Sequence, residues 1–592
     1  MTIMVNKLEL TWYGKDEPIR VEPRLLIENT ALSNTVADPD TENMLIHGDN
    51  LLALKALESK YAGQVKCIYI DPPYNIDAMN EYYEDLIEHS MWLNRMRPRI
   101  EILRTLLCEE GIIFIQISEE EQAYLKILCD EIFGRSNFVN MVSVNMKNIA
   151  GASGGGEDKR LKKNCEYVLI YAKKYDFMPL FNGPYEYTEI STLIQQYIDE
   201  GKSWKYTTVL VDPGEKEYVG STVDGEGNEI KVYRRINPVM LSVKQIAKRD
   251  GITEKEAYQK YGINIFQTTN AQSSIRTRIM DYRQETGISD DVLSIEYVPK
   301  TGKNRGCLYE QFYKGDKCRL FVWLRDTSEV MDGELYKKDL QGTYWDMNAW
   351  MKNVSKEGSV DFPNSKKPEK LISQIIEMCT QPGDLILDSF LGSGTTAAVA
   401  HKLGRCYIGV EMGDHAYSLC KPRLDSVING TDNSGITKAV GWQGGGGYRF
   451  YELAPTLINK DSFDEYVINE DYDAEMLAAA VALHEGFTYQ PDENLFWKQS
   501  VGNENSYLFV TTRHLTAVYL DSIKGTMEDG DYLIIACRSF DAGVDKVYDN
   551  ITVKKIPQML LSRCEFGKTD YNLNIVHPPV YDDELDEEVY DE

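Results

Sequence analysis

The sequence predicts an α/β fold whose parallel sheet is written in two halves, with a mixed domain inserted between them. Three observations predict it. Over residues 44–133, and again over 367–427, short apolar runs end at polar turns and lead into segments with helical spacing. From about 180 to 345 that alternation stops and aromatic and basic residues interleave. Beyond 430 the composition turns acidic, with 30 acidic residues against 12 basic ones in 431–592. The chain therefore divides into an arm (1–42), a first α/β half (43–180), the insert (181–345), a second α/β half (346–430) and a C-terminal α+β domain with an acidic tail (431–592).

Taken in order, Leu8 to Trp12 is expected as a short strand in the arm. Met44 to Ile46 is a second strand, ending at His47-Gly48-Asp49-Asn50, and Leu51, Leu52, Leu54 and Leu57 then mark a helix. Lys66 to Ile70 is a buried strand ending at Asp71-Pro72-Pro73-Tyr74-Asn75. A helix from Ser90 to Cys108 is stopped by Gly111, Ile112 to Ile117 is a strand, and Ser118 caps the next helix. Strands follow at Phe138 to Val144 and Glu166 to Ala172, around the Gly-rich loop 150–156, by composition either a lid or a plain connection. In the insert, Val223 to Asn228 reads as a hairpin turn and Thr253 to Tyr261 as a helix. In the second half, Lys367 to Cys379 is an amphipathic helix and Leu385 to Asp388 a strand. Ser389-Phe390-Leu391-Gly392-Ser393-Gly394-Thr395-Thr396 opens a helix, and Cys406 to Val410 is a strand ending at Glu411.

With 43% hydrophobic and 27% charged residues, the composition is that of a globular protein, and no window approaches the roughly 20 apolar residues of a membrane span. The N-terminus lacks the pattern of a signal peptide. Eleven scattered cysteines without a C-x-x-C pair and seven unclustered histidines predict reduced thiols and no structural metal. A net charge of −29 argues against a nucleic-acid partner, but phosphate binding depends on local positive stripes. Basic clusters recur at 159–163, 231–235, 244–249, 276–278 and 300–305; each taken singly is equally a solvated face.

The chemistry concentrates at two strand ends, where ligands bind in open α/β sheets. Two prolines stiffen the turn after Ile70, and the Asp71 carboxylate and Pro72 carbonyl are two acceptors beside the flat ring of Tyr74. That set suits a planar amine such as an extruded adenine; in isolation it is also an ordinary Asp-capped Pro-Pro turn. In the second half, glycines between strand and helix let a ligand approach the backbone and the helix N–H groups. Glu411, 17 residues beyond Gly394, can take the hydroxyls of a ribose. The glycines do not spell G-x-G-x-x-G, so another adenosine cofactor fits better than a dinucleotide.

Asp71-Pro72-Pro73-Tyr74 together with Asp388-Ser389-Phe390-Leu391-Gly392-Ser393-Gly394-Thr395 resembles the amino-methyltransferases of DNA, and their order resembles the permuted β group of adenine-N6 enzymes. Four further segments make the likeness closer: Leu10 to Lys15, His47 to Leu54, Tyr69 to Asn75 and Trp442 to Phe450. They are similar to the modification (Mod) subunit of type III restriction–modification systems, over roughly 1–175 and 345–455. The resemblance implies a permuted, Rossmann-like methyltransferase fold using S-adenosylmethionine, with strands 385–388, 406–410, 44–46 and 66–70 as the first four of its sheet. It implies catalytic roles for Asp71, Pro72, Pro73 and Tyr74. Cofactor contacts are implied for Asp49, Asn50, Ser365, Lys367, Asp388, Phe390, Gly392, Ser393, Gly394, Thr395 and Glu411. Asp49 is also placed to cap a helix, and the stretch from Phe362 to Pro368 departs from the family's usual Pro-Lys-Pro spelling.

The implied reaction is direct attack of adenine N6 on the sulfonium methyl, with N6–H held by Asp71 and the Pro72 carbonyl and the base stacked on Tyr74. The insert is then the target-recognition domain. The partners implied are double-stranded DNA, a second copy of the chain and a restriction helicase–nuclease (Res) subunit, in the cytoplasm of a bacterium. The chain itself carries no G-x-x-x-x-G-K-S/T phosphate loop, so it is expected to modify but not cut. Three alternatives stand beside this reading. One is N4-cytosine methylation, against which Asp71 argues; another is an RNA or protein-amide substrate; the last is a non-catalytic DNA-binding subunit.

Overall fold

A computed structural model describes residues 9–17, 19–74, 89–146, 163–300, 304–331, 333–352, 354–360, 362 and 366–568. The chain splits into two compact units, one of residues 183–341 and the other of the segments on either side.

The larger unit is built on a ten-stranded sheet. Its strands are β1 (Leu26–Glu28), β2 (Met44–His47), β3 (Val65–Ile70), β4 (Leu107–Ile117), β5 (Phe138–Asn145), β6 (Cys165–Ala172), β7 (Tyr344–Asp346), β8 (Leu385–Asp388), β9 (Cys406–Glu411) and β10 (Arg449–Leu453). They lie in the order β1-β10-β2-β9-β8-β3-β4-β6-β5-β7. From β10 through β4 all neighbours are parallel, while β6 runs antiparallel to β4 and β5. The second half of the sequence thus supplies the strands β8 and β9 at the centre of a sheet whose other strands flank them. The four strands that the resemblance singles out lie together, in the order β2-β9-β8-β3.

Strand residues alternate between two cores, as the period of a pleated strand requires. Leu45, Cys67, Tyr69 and Ile386 face one core together with Leu371, Ile375, Ala398 and Leu424 of the second-half helices. Ile46, Ile68, Ile70 and Leu387 face the other with Leu52, Trp92, Ile100 and Leu125 of the first-half helices. The sheet is therefore covered on both faces, each half of the chain burying one side.

Several local expectations are corrected. Residues 9–12 form no strand. Leu10 N–H instead donates to Glu131 Oε1 at 2.8 Å, and Trp12 Nε1 donates to Asn94 Oδ1 at 2.7 Å, so the arm is strapped to helices by side chains. Gly111 does not stop a helix. The helix ends at Leu106 and Gly111 lies inside β4, where Val65 pairs Leu107 but Cys67 pairs Ile112 across an irregularity. Ser118 occupies the N-cap position without capping; its hydroxyl bonds the Glu120 carboxylate.

The unit 183–341 has an eight-stranded antiparallel sheet and a three-stranded one. The 223–228 hairpin joins Glu215–Val223 to Glu229–Ile236, and the helix Glu254–Tyr261 starts at a Thr253/Glu256 capping box. Its basic clusters are partly neutralised. Arg234 makes a two-armed pair with Glu217, Arg235 is buried against Glu310 and Ser294, and Arg249 pairs Asp250. Lys231, Lys244, Lys248 and Arg278 are exposed. Pairing within the fold, invisible in a string, turns these clusters from continuous stripes into separated charges.

The C-terminal segment forms its own sheet, Thr488–Tyr489, Ser500–Val501, Ser506–Leu515, Tyr532–Phe540 and Ile551–Lys555, the last three parallel. Asn75, the Gly-rich loop, most of the 159–163 cluster, Ser365 and the acidic tail lie outside the described residues.

Candidate active site

The connections from β8 and β3 leave in opposite directions, β8 toward β9 and β3 toward β4, so a crevice opens at their carboxyl ends. One wall is the turn after Asp388 and the other is Asp71-Pro72-Pro73-Tyr74. The two motifs are more than 300 positions apart in the chain.

On the β8 wall, Asp388 clamps the turn at both ends. Its Oδ1 accepts Phe390 N–H at 2.9 Å and its Oδ2 accepts the Thr396 hydroxyl at 2.6 Å. Burial pushes this carboxyl up to about 7, against the pull of those two donors. Gly392 and Gly394 both adopt left-handed φ, +57° and +78°, which lets the turn feed the helix Thr395–Lys402. Glu411, at the end of β9, receives Gly392 N–H on Oε2 at 2.7 Å, while Oε1 takes Gly413 N–H at 2.9 Å and faces His415 at 2.8 Å. Beneath the turn, the guanidinium of Arg423 donates to the Ser393 carbonyl and to the Thr395 hydroxyl.

At the end of β2, Asp49 caps the helix Asn50–Tyr61 through Leu51 and Leu52 N–H and pairs Arg99 at 3.2 Å. Asn50 Nδ2 reaches across to the Ser389 carbonyl at 2.8 Å. The capping role open to Asp49 is thus realised, and Asn50 joins the β2 and β8 turns.

On the β3 wall, Pro73 O accepts the Trp92 indole N–H at 2.9 Å, fixing the turn to the next helix. Asp71 Oδ1 accepts the Tyr74 hydroxyl at 2.6 Å, and Asp71 Oδ2 lies 2.9 Å from Lys367 Nζ. The same hydroxyl lies 2.8 Å from Glu166 Oε2, and the same ammonium 3.4 Å from it and 4.9 Å from the Tyr74 ring centre. Gln116 Nε2 donates to Glu166 at 2.5 Å and is itself oriented by the Tyr69 hydroxyl at 2.6 Å. Burial raises Asp71 above the usual carboxylate value, and Glu166 adds to the rise against the pull of Lys367. Burial acts the same way on Glu166, yet Lys367, Gln116 and Tyr74 together hold it below its usual value. Burial alone would lower Lys367, but its two carboxylates keep it raised and charged.

Sequence reasoning missed Glu166, Gln116 and Arg423. Two signals were available. Glu166 is a charge opening an otherwise apolar run, and Arg423 falls on the apolar stripe of Cys420, Leu424 and Val427, where a charge needs a buried partner. Lys367, read as a cofactor contact, lies on Asp71.

Parallel strands ending in a glycine turn beside an Asp-Pro-Pro-Tyr turn define an α/β protein with two polar turns meeting at the carboxyl ends of adjacent strands. Comparison with known proteins gives the family. A family described as DNA methylase matches residues 65–422, and this chain belongs to it. The chain is 43% identical over 433 residues to a probable type III restriction–modification enzyme HindVI Mod subunit of Haemophilus influenzae, covering 73% of this chain and 56% of that protein. It is 27% identical to the EcoPI Mod subunit of Escherichia phage P1, covering 72% of this chain and 65% of that one. The match thus spans between about half and two thirds of these relatives' length. Among solved structures, PvuII DNA methyltransferase (cytosine-N4-specific) aligns at 13% identity and a TM-score of 0.31, over 68% of this chain and 91% of that one.

Proposed function

We propose that this chain is a site-specific DNA methyltransferase. It transfers a methyl group from S-adenosylmethionine to adenine N6 of a flipped-out base, as the modification subunit of a type III restriction–modification system. The observation that carries the reading is the pairing of the two walls: Asp71 and Tyr74 on one strand end, the Asp388–Thr395 turn on the next.

The β8 wall fits an adenosine cofactor. Two left-handed glycines bare the backbone at the turn, and the buried Ser389 hydroxyl has no partner among the described residues. Residues to hold the cofactor are Asp49, Asn50, Asp388, Phe390, Gly392, Ser393, Gly394, Thr395 and Glu411, with Ser365 and Lys367 assigned by the resemblance alone. When bound, the cofactor supplies an electrophilic methyl group. The chain's part is to hold the amine. The adenine amino nitrogen is a poor nucleophile because its lone pair is delocalised into the ring. Acceptance of its N–H by the Asp71 carboxylate and the Pro72 carbonyl favours the pyramidal form as positive charge develops on it. Tyr74 offers a ring for base stacking, worth about 1–3 kcal/mol.

Asp71 supports adenine over cytosine, and the Mod subunits among the relatives support the type III assignment. On the same footing the chain works on double-stranded DNA in the bacterial cytoplasm, as a homodimer that a Res subunit can join, with residues 183–341 as the target reader. Single-molecule methylation sequencing of DNA from cells expressing wild type or Asp71→Ala tests the reading. N6-methyladenine at one short motif, lost in the variant, is expected. N4-methylcytosine at such a motif would move the reading to cytosine, and no modified base in either strain would sink it.

A further inference from the structure

Asp71 has both oxygens engaged before any substrate arrives. Oδ1 accepts from Tyr74 at 2.6 Å and Oδ2 faces Lys367 at 2.9 Å. An amino group that is to be held by this carboxylate must displace one of those donors. A displaced donor in a largely buried site needs another acceptor, the more so when it is charged. Glu166 Oε2 lies within reach of both, 2.8 Å from the hydroxyl and 3.4 Å from the ammonium. The Tyr74 hydroxyl has one hydrogen and faces two carboxylates, so it serves one of them at a time. Glu166 is held in place by Gln116, and Gln116 by Tyr69.

We propose that Glu166 is a positioning residue for methyl transfer: it takes over the Tyr74 hydroxyl and the Lys367 ammonium when the substrate's amino group takes the Asp71 carboxylate. The inference rests on the reading of Asp71 as the amino-group acceptor. Glu166 also sets the charge of the site. Two carboxylates and one ammonium leave a net negative charge facing a nitrogen that becomes cationic as its bond to carbon forms. Without the Glu166 charge, Lys367 would remain on Asp71 and neutralise it. Among the described residues, the ionisable groups that face Asp71 are Lys367, Glu166, Tyr74 and Tyr69, with Asp388 across the crevice.

The test uses the full-length protein with DNA and S-adenosylmethionine under single-turnover conditions. Glu166→Gln keeps the side chain's shape and an acceptor oxygen but loses the charge. The expected result is a rate reduced about tenfold or more, with cofactor and DNA affinities within about twofold of wild type. The acid limb of the rate profile should move to lower pH, because the Glu166 charge helps raise Asp71. In a Tyr74→Phe background, where one of the two donors is already absent, Glu166→Gln should cost less than it does alone. A wild-type rate and acid limb in Glu166→Gln would overturn the proposal, as would an equal penalty in both backgrounds without a shift of the limb. Should Glu166→Gln not fold, Glu166→Asp carries the test: a reduced rate with the wild-type acid limb is expected, and a wild-type rate overturns. Failure of the underlying reading has a different signature, namely an Asp71→Asn variant as active as wild type.

Discussion

Arg423 and Glu369 form an ion pair of 2.9 Å in which neither side chain has exposed surface. Glu369 also receives Lys402 at 2.8 Å and the Ile436 N–H at 3.1 Å, and Lys402 meets Asp432 at 2.6 Å. The other arm of Arg423 supports Ser393 and Thr395. The glycine turn therefore stands on a buried ionic network that ties the helices Glu369–Cys379, Thr395–Lys402 and Lys421–Ile428 together.

Removing the shared carboxylate leaves two buried cations short of a partner. Glu369→Gln should destabilise the unit by about 3–5 kcal/mol, the cost of breaking a buried pair from one side. Urea unfolding measures it. A loss below about 1 kcal/mol would show that water reaches the network.

The two turn glycines should separate folding from binding. At Gly394 a Cβ would come within 3.3 Å of the Cys420 backbone, whereas at Gly392 the nearest atom is 3.8 Å away. Both carry the left-handed strain of about 1–2 kcal/mol for a side chain. Gly392→Ala should stay folded yet lose S-adenosylmethionine affinity in calorimetry, and Gly394→Ala should lose more thermal stability as well. Equal melting temperatures in the two variants would refute the packing argument.

The pH dependence of stability should carry the mark of Asp388. Its folded value, about 7, lies above the ordinary 3.8. Between those values the native state holds a proton that the unfolded chain has released. Its contribution is therefore complete below about pH 4 and is lost as pH rises toward 7, at about 1.4 kcal/mol per unit. Asp388→Asn can still accept from Phe390 and donate to Thr396, so it should fold and show a flatter slope from pH 5 to 7. Denaturant unfolding across that range decides it, and an unchanged slope would exclude Asp388 as the source. Glu357, also raised to about 7 by burial, would then be the next variant to make.

Asp71→Asn keeps one acceptor and removes the charge. Single-turnover methylation should fall about 10²-fold or more, while cofactor affinity, which we assign chiefly to the other wall, should stay within a few-fold. Comparable losses in both would place Asp71 in cofactor binding instead.

The sequence by itself determined the parallel sheet, its two-part order and the two turns at its centre. Those features are local: apolar runs of strand length, a Pro-Pro turn, and glycines where only left-handed φ continues the chain. That β8 and β3 lie side by side is shown by the sheet order. What surrounds each turn was decided by the tertiary structure. Glu166 reaches Tyr74 from 92 positions away, and Arg423 reaches Glu369 from 54. The insert's positive runs are dispersed by pairing with acids on neighbouring strands, as Arg234 with Glu217. A charge's partner, and hence its ionisation, depends on what burial brings within about 4 Å of it, and no local pattern encodes that distance.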